Sequence, residues 1–210
     1  MAFVCFFINS VLIPQPLRRF IKMQKGTLVI FVKAPQMGRV KTRLARDIGQ
    51  FHAWRFYRNT VTGLIKRVGE GNWNTVLCVS PDGYKGTFFD DRYPIIAQEG
   101  GDLGQRMQRV FDTVNDGPLV LIGGDIPSIK KYHIENAFDV LKDSDITFGP
   151  ATDGGYWMVG QRRRRARISP FHDVRWSTEH TLSDTVENID PSNRISFTDI
   201  LSDVDEGGDL

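Results

Sequence analysis

Asp125 stands where a carboxylate can do chemistry. It follows the run Leu119-Val-Leu-Ile-Gly-Gly and is itself followed by Ile126 and Pro127. A continuous apolar run of this kind reads as a buried strand. The paired glycines let a backbone or a ligand come close. A carboxylate at the C-terminal end of a parallel strand sits where open α/β sheets bind ligands. Oxygen donors suit Mg²⁺ or Mn²⁺, ions that usually arrive with substrate phosphates. The pattern implies a metal-assisted enzyme acting on a nucleotide diphosphate. The plainer alternative is a strand and a turn, in which Asp is a common turn residue.

A second group of residues matches the first in chemistry. Lys33, Arg39, Lys41, Arg43 and Arg46 crowd one strand–loop–helix unit, with Pro35 and Gly38 shaping the loop and Thr42 able to cap the helix. A glycine-containing loop feeding a helix start offers N–H groups and positive potential to an anion. That is a site for a nucleotide pyrophosphate, or else a solvated basic helix face. Lys41-Thr42 lacks the glycines of a Walker A loop, and residues 100–104 do not form G-x-G-x-x-G after the first strand, so neither motif applies.

Asp153-Gly-Gly-Tyr-Trp157 lies between two strand-like segments. Asp153 is placed to bind sugar or acceptor hydroxyls, or to act as a general base. The alternative is a glycine turn closed by an Asx-type bond. Tyr156 and Trp157 suit stacking on a ring, with one of the two in the core. Gly101, Asp102 and Arg106 are candidates for the nucleotide side, Asp102 being equally a helix cap. Trp176, Ser177 and Thr178 read as a cap before a helix. Arg162 to Arg165 and Arg167 form the densest charge run and read as a solvated loop beside the acceptor pocket.

Composition narrows the class. The chain has 210 residues, 40% hydrophobic and 25% charged, enough for a full core. A net charge of +2 gives no bulk argument for nucleic acid. Cys5 and Cys78 make no disulfide framework, which fits a reducing cytoplasm, and Cys78 reads as a buried thiol. His52, His133, His172 and His180 show no metal-ligand spacing and read as surface or capping residues. The apolar stretch 2–13 is too short to span a bilayer and has no basic residues before it, so residues 1–24 read as an extension without stable membrane insertion.

The elements that must position these groups follow from pattern and punctuation. Strands are predicted at 27–32, 75–79, 93–97, 118–122, 145–148, 156–159 and 195–197. Helices are predicted at 41–48, 51–68, 103–114, 132–141 and 178–188. Near-regular alternation predicts an α/β fold, a three-layer α/β/α sandwich on a mostly parallel sheet, in one domain over 25–210.

Several segments, taken in order, carry a family resemblance. They are 31–44 (FVKAPQMGRVKTRL), 101–107 (GDLGQRM), 121–127 (LIGGDIP), 149–157 (GPATDGGYW) and 176–178 (WST). Together they resemble the GT-A-fold nucleotide-diphospho-sugar-transferase-like family, associated with arsenosugar biosynthesis or radical-SAM systems. That family is similar to the 2-phospho-L-lactate and molybdenum-cofactor guanylyltransferases. The resemblance implies a GT-A sheet with Lys33, Gly38, Lys41 and Arg43 on the nucleotide loop. It implies Mg²⁺ or Mn²⁺ as cofactor, with Asp125 and Asp205 as metal carboxylates. Two departures stand out: Glu206-Gly-Gly-Asp-Leu210 replaces the family's Thr-Pro-Glu-Asp-Leu, and Gly124 and Ile126 stand where Ser and Cys are frequent.

The function expected is metal-dependent transfer from an activated nucleotide to a small-molecule acceptor, first of all glycosyl transfer from a nucleotide-diphospho-sugar. Asp125 and Asp153 are the expected catalytic groups. Nucleotidyl transfer to a small phosphorylated acceptor is the alternative. A non-catalytic nucleotide-binding protein and a basic RNA-binding domain are the competing classes.

Overall fold

A computed structural model describes residues 25–114, 117–163 and 167–202. Strand and helix alternate along these segments. The elements are β1 (Gly26–Lys33), α1 (Leu44–Ile48), α2 (Gln50–Val68), β2 (Trp73–Ser80), β3 (Ile95–Ala97) and α3 (Leu103–Thr113). They continue with β4 (Leu119–Gly123), α4 (Lys131–Val140), β5 (Ile146–Pro150), β6 (Tyr156–Gln161), α5 (Thr181–Glu187) and β7 (Ile195–Phe197). The extension at 1–24, Cys5, Arg164, Arg165 and Asp205 lie outside the described residues.

All seven strands join one sheet in the order β3-β2-β1-β4-β6-β5-β7. β1 pairs in parallel with both β2 and β4, and β2 with β3. β6 runs antiparallel to β4 and β5, and β7 is parallel to β5. The strand order reverses at β1, where β2 adds to one side and β4 to the other. A crevice opens at the carboxyl ends of the strands at such a switch point.

Period-two alternation divides the core. Leu28, Ile30 and Val32 of β1 face a cluster shared with Tyr57, Val61 and Leu64 of α2 and Ile134 and Ala137 of α4. Val29 faces the other side, against Met107, Val110 and Phe111 of α3 and Phe148 of β5. Each fully buried leucine or isoleucine contributes roughly 1.5–3 kcal/mol. Helices thus cover both faces, giving the expected three-layer α/β/α sandwich. Cys78 is fully buried, and burial pushes its thiol up to about 12. His133 is also buried, and its Nδ1 accepts the Lys130 N–H at 2.9 Å at the start of α4. His52, His172 and His180 are exposed. No helix among the described residues is long and apolar enough to cross a membrane.

Two helices begin three residues later than periodicity predicts, α1 at Leu44 and α5 at Thr181. Lys41 and Ser177 have φ of 45° and 60°, left-handed values that stop a helix from starting there. Ahead of α5, Thr178 Oγ1 and Thr181 Oγ1 both donate to the Arg175 carbonyl, an alternative to helical bonding.

Candidate functional site

The first loop is clamped by α2. The Tyr57 hydroxyl accepts the Lys33 N–H at 2.8 Å and donates to the Lys33 carbonyl at 3.0 Å. Burial raises the Tyr57 pKa and keeps that hydroxyl protonated. Trp54 Nε1 donates to the Pro35 carbonyl at 2.7 Å. The same helix holds the chain beyond Asp125, since Arg67 donates to the carbonyls of Ile129 and Pro127 at 2.9 and 2.8 Å.

The end of β4 lies tightly against β1. Gly124 N–H donates to the Phe31 carbonyl at 2.9 Å. A Cβ at residue 124 would stand 2.8 Å from that oxygen, so the glycine permits the close approach that aims Asp125. Asp125 Oδ2 and Lys41 Nζ are 2.9 Å apart. The lysine side chain is 5% exposed and the aspartate 42%, so the ammonium is enclosed while the carboxylate faces outward. An enclosed ammonium needs such a partner.

A cavity of about 520 Å³ opens at this point. Lys33, Lys41, Thr42 and Arg43 line it from the first loop and Gly123 and Asp125 from β4. Asp153, Gly155 and Tyr156 line it from the turn entering β6, and Trp176, Ser177 and Thr181 from the segment leading into α5. Strand order puts β4 between β1 and β6, so Asp125 lies between the basic loop and the Asp153 turn. Neighbouring strands are about 4.8 Å apart, which separates the two flanks by roughly 10 Å.

Glycine geometry shapes the far flank. Gly154 has φ of 85°, and a Cβ there would collide with the Glu179 backbone. Its carbonyl accepts the Leu182 N–H at 3.0 Å, which ties residues 176–182 to the turn. Asp153 Oδ1 accepts the Gly155 N–H at 2.9 Å, the Asx-type bond. Its exposed carboxylate nonetheless lines the cavity. Trp157 is 3% exposed and belongs to the core, with Nε1 donating to the Asp199 carbonyl at 2.9 Å. Tyr156 is the more exposed of the pair, although burial still raises its pKa.

Among the described residues, no group of three or more His, Cys, Asp or Glu side chains gathers to form a cage for a metal. Mg²⁺ does not require one, because it binds through one or two carboxylates plus substrate phosphates. A half-exposed carboxylate between a basic loop and an acidic turn fits that mode.

Other expected site residues lie elsewhere. Gly38 has φ of 77° and shapes the first loop, but it does not line the cavity. Gly101, Asp102 and Arg106 do not line it either. Asp102 caps α3: its side chain accepts the Gln105 N–H at 2.8 Å, and Gln105 Oε1 accepts the Asp102 N–H at 3.1 Å. Arg106 Nε donates to the Gly101 carbonyl at 2.9 Å.

The start of the arginine run requires a correction. Antiparallel β6 ends opposite Leu119, at the N-terminal end of β4, so Arg162 and Arg163 emerge away from the cavity. Arg163 is half-buried and donates to the carbonyls of Phe111, Val114 and Gly117 at 2.8–2.9 Å, in the last turn of α3 and just beyond it. It is a helix-end anchor and not part of a solvated loop beside the pocket.

Phe31, Leu103 and Met107 also line the cavity without a chemical signal of their own in the sequence, and Trp176 and Ser177, a helix cap by pattern, line it as well. A signal for the α3 contribution exists in Gly104, where a Cβ would collide with the Phe171 carbonyl and the Trp176 ring.

Fold and cavity together define the nucleotide-diphospho-sugar transferase class of α/β fold. A family model described as "Uncharacterized protein conserved in bacteria (DUF2064)" matches residues 64–178, more than half of the chain. The chain belongs to the DUF2064 family.

It is 27% identical over 128 residues to the 2-phospho-L-lactate guanylyltransferase of Methanocaldococcus fervens, covering 60% of this chain and 57% of that protein. The namesake enzyme of a second Methanocaldococcus is 36% identical over 53 residues, 25% of this chain and 23% of that one. The chain thus spans little more than half of the first of these curated relatives.

Among solved structures, a candidate nucleotide-diphospho-sugar transferase from Desulfovibrio desulfuricans G20 superposes with a TM-score of 0.81. It has 28% identity and covers 88% of this chain and 84% of its own. The inositol-1-phosphate CTP transferase of T. maritima shares the fold at a TM-score of 0.51 and 14% identity, covering 90% and 92%.

Proposed function

We propose that this protein transfers a glycosyl group from a nucleotide-diphospho-sugar to a small acceptor, with a divalent cation. The observation that carries the reading is Asp125 beside Lys41 in a cavity at the sheet's switch point, between a basic loop and a carboxylate turn. Its likeness over most of both chains to the Desulfovibrio protein supports it.

Lys33, Lys41 and Arg43 hold the diphosphate by charge-assisted hydrogen bonds. Asp125 would hold the cation, and Asp205, outside the described residues, would supply a second carboxylate. A divalent cation held there would supply Lewis-acid stabilisation of charge developing on the phosphate oxygens. Asp153 positions the acceptor hydroxyl and takes its proton as the acceptor oxygen attacks the anomeric carbon. The bond from that carbon to the phosphate oxygen breaks, and nucleoside diphosphate leaves with the electron pair.

Nucleotidyl transfer is the second reading, favoured by the names of the curated relatives. Incubation with Mn²⁺, labelled GTP or UDP- and GDP-sugars, and a panel of acceptors separates the two. Release of nucleoside diphosphate is expected; release of pyrophosphate from GTP would transfer the assignment to the second reading.

A further inference from the structure

The cavity's charge is divided unevenly between its two flanks. Lys33 ends β1, and Lys41 and Arg43 lie in the first loop that follows it. On the far flank, the polar groups among the described lining residues come from Asp153, Tyr156, Trp176, Ser177 and Thr181, and Leu103 and Met107 of α3 add apolar surface. None of these is a cation. Leu103 is 45% exposed at the mouth, so an apolar surface faces solvent there.

Neither Arg106 nor Arg175, which stand next to lining residues in the chain, lines the cavity. Arg175 donates two bonds to Asp184, at 2.6 and 2.8 Å, and this pairing draws the Asp184 carboxyl down to about 2. Arg106 turns to the Gly101 carbonyl. The N-terminus of α3 offers no anion site, because the Asp102 carboxylate already caps it. Ser177, at φ of 60°, holds a hydroxyl beside the cavity without a charge. Phosphate-bearing ligands are bound by arginine, lysine or uncapped N–H groups. The flank instead offers a carboxylate, hydroxyls and apolar surface, a set that suits a neutral polyol.

We infer that the acceptor is an uncharged, hydroxyl-bearing molecule with an apolar face, and that the cavity holds one phosphate-binding locus, on the first loop. This rests on the glycosyl-transfer reading. It also sets the chain apart from relatives named for a phosphorylated acid, because a second phosphate beside Asp153 would meet like charge.

The test counts and locates anions on the full chain. Calorimetric titration with inorganic pyrophosphate is expected to give one site, lost in Lys41→Met. Crystals soaked in tungstate, a dense phosphate-shaped ion, are expected to show it at Lys33, Lys41 and Arg43 and not within reach of Asp153, Ser177 or Thr181. Ser177→Arg adds a guanidinium to the far flank and is expected to bring a second tungstate there, so the method can detect such a site. A tungstate on the far flank of the wild type overturns the inference while leaving the first-loop site intact. An empty first loop removes the nucleotide site itself, and the inference falls with it.

Discussion

Two groups of basic residues sit at opposite ends of one sheet. Lys33, Lys41 and Arg43 line the cavity at the carboxyl ends of β1 and β4. Arg163 lies at the other end, its guanidinium donating to three carbonyls at and just beyond the C-terminal end of α3. In the sequence the arginine run is the denser cluster. In the proposed function, the site follows the direction of the adjoining strand and not the density of charge. β1 delivers its loop to the crevice, whereas antiparallel β6 carries Arg162 and Arg163 away from it.

The largest expected effect separates these ends by activity. Asp125→Asn is expected to lower turnover by about 100-fold or more, because it removes the carboxylate proposed to hold the divalent cation. Circular dichroism should show the fold unchanged. Steady-state rates near those of wild type would remove Asp125 from the chemistry.

The next effect belongs to the opposite end. Arg163→Met leaves the Phe111, Val114 and Gly117 carbonyls without that donor and is expected to cost about 1–3 kcal/mol of stability. Urea unfolding measures this. An unchanged midpoint would mean that water replaces the guanidinium without loss.

Gly154→Ala probes the far flank of the cavity. Forcing a side chain to φ of 85° against the Glu179 backbone is expected to cost about 1 kcal/mol or more and to loosen residues 176–181. Thermal unfolding reports the first effect and a raised KM for acceptor the second. Wild-type values for both would show that the turn and the Ser177 segment are not coupled.

The smallest effect concerns pH. Burial lowers the His133 pKa, against an opposing pull from Asp199. The unfolded chain therefore binds a proton that the folded chain refuses. Stability is expected to rise with pH from the lowered value up to about 6.5, and to be lost as pH falls through that window. His133→Gln should flatten that slope in melting temperature between pH 5 and 7. An unaltered slope would assign it to another group.

Much of this arrangement is legible in the sequence, for identifiable reasons. The β1 and β4 runs are continuous and apolar because both sheet faces are covered, and Asp125 follows directly from where β4 stops. The Asp102 cap is equally local: a carboxylate with Gln105 three residues on is a helix-start pattern. Contributions made across space are not legible. Leu103 and Ser177 reach the cavity through close approaches at Gly104 and Gly154, separated from their partners by long stretches of chain. The place of Arg163 depends on β6 running antiparallel, which alternation alone does not reveal. The late start of α1 reflects the left-handed Lys41 backbone and its ion pair with Asp125, two features that helix propensity does not contain.

In the proposed function the first loop, and not the arginine run, receives the nucleotide. Calorimetric titration of Mn²⁺ and UDP or GDP into wild type, Lys41→Met and Arg163→Met tests it directly. The account predicts affinity about 10- to 100-fold weaker in Lys41→Met and unchanged in Arg163→Met. Wild-type affinity in Lys41→Met, or a loss confined to Arg163→Met, would contradict it.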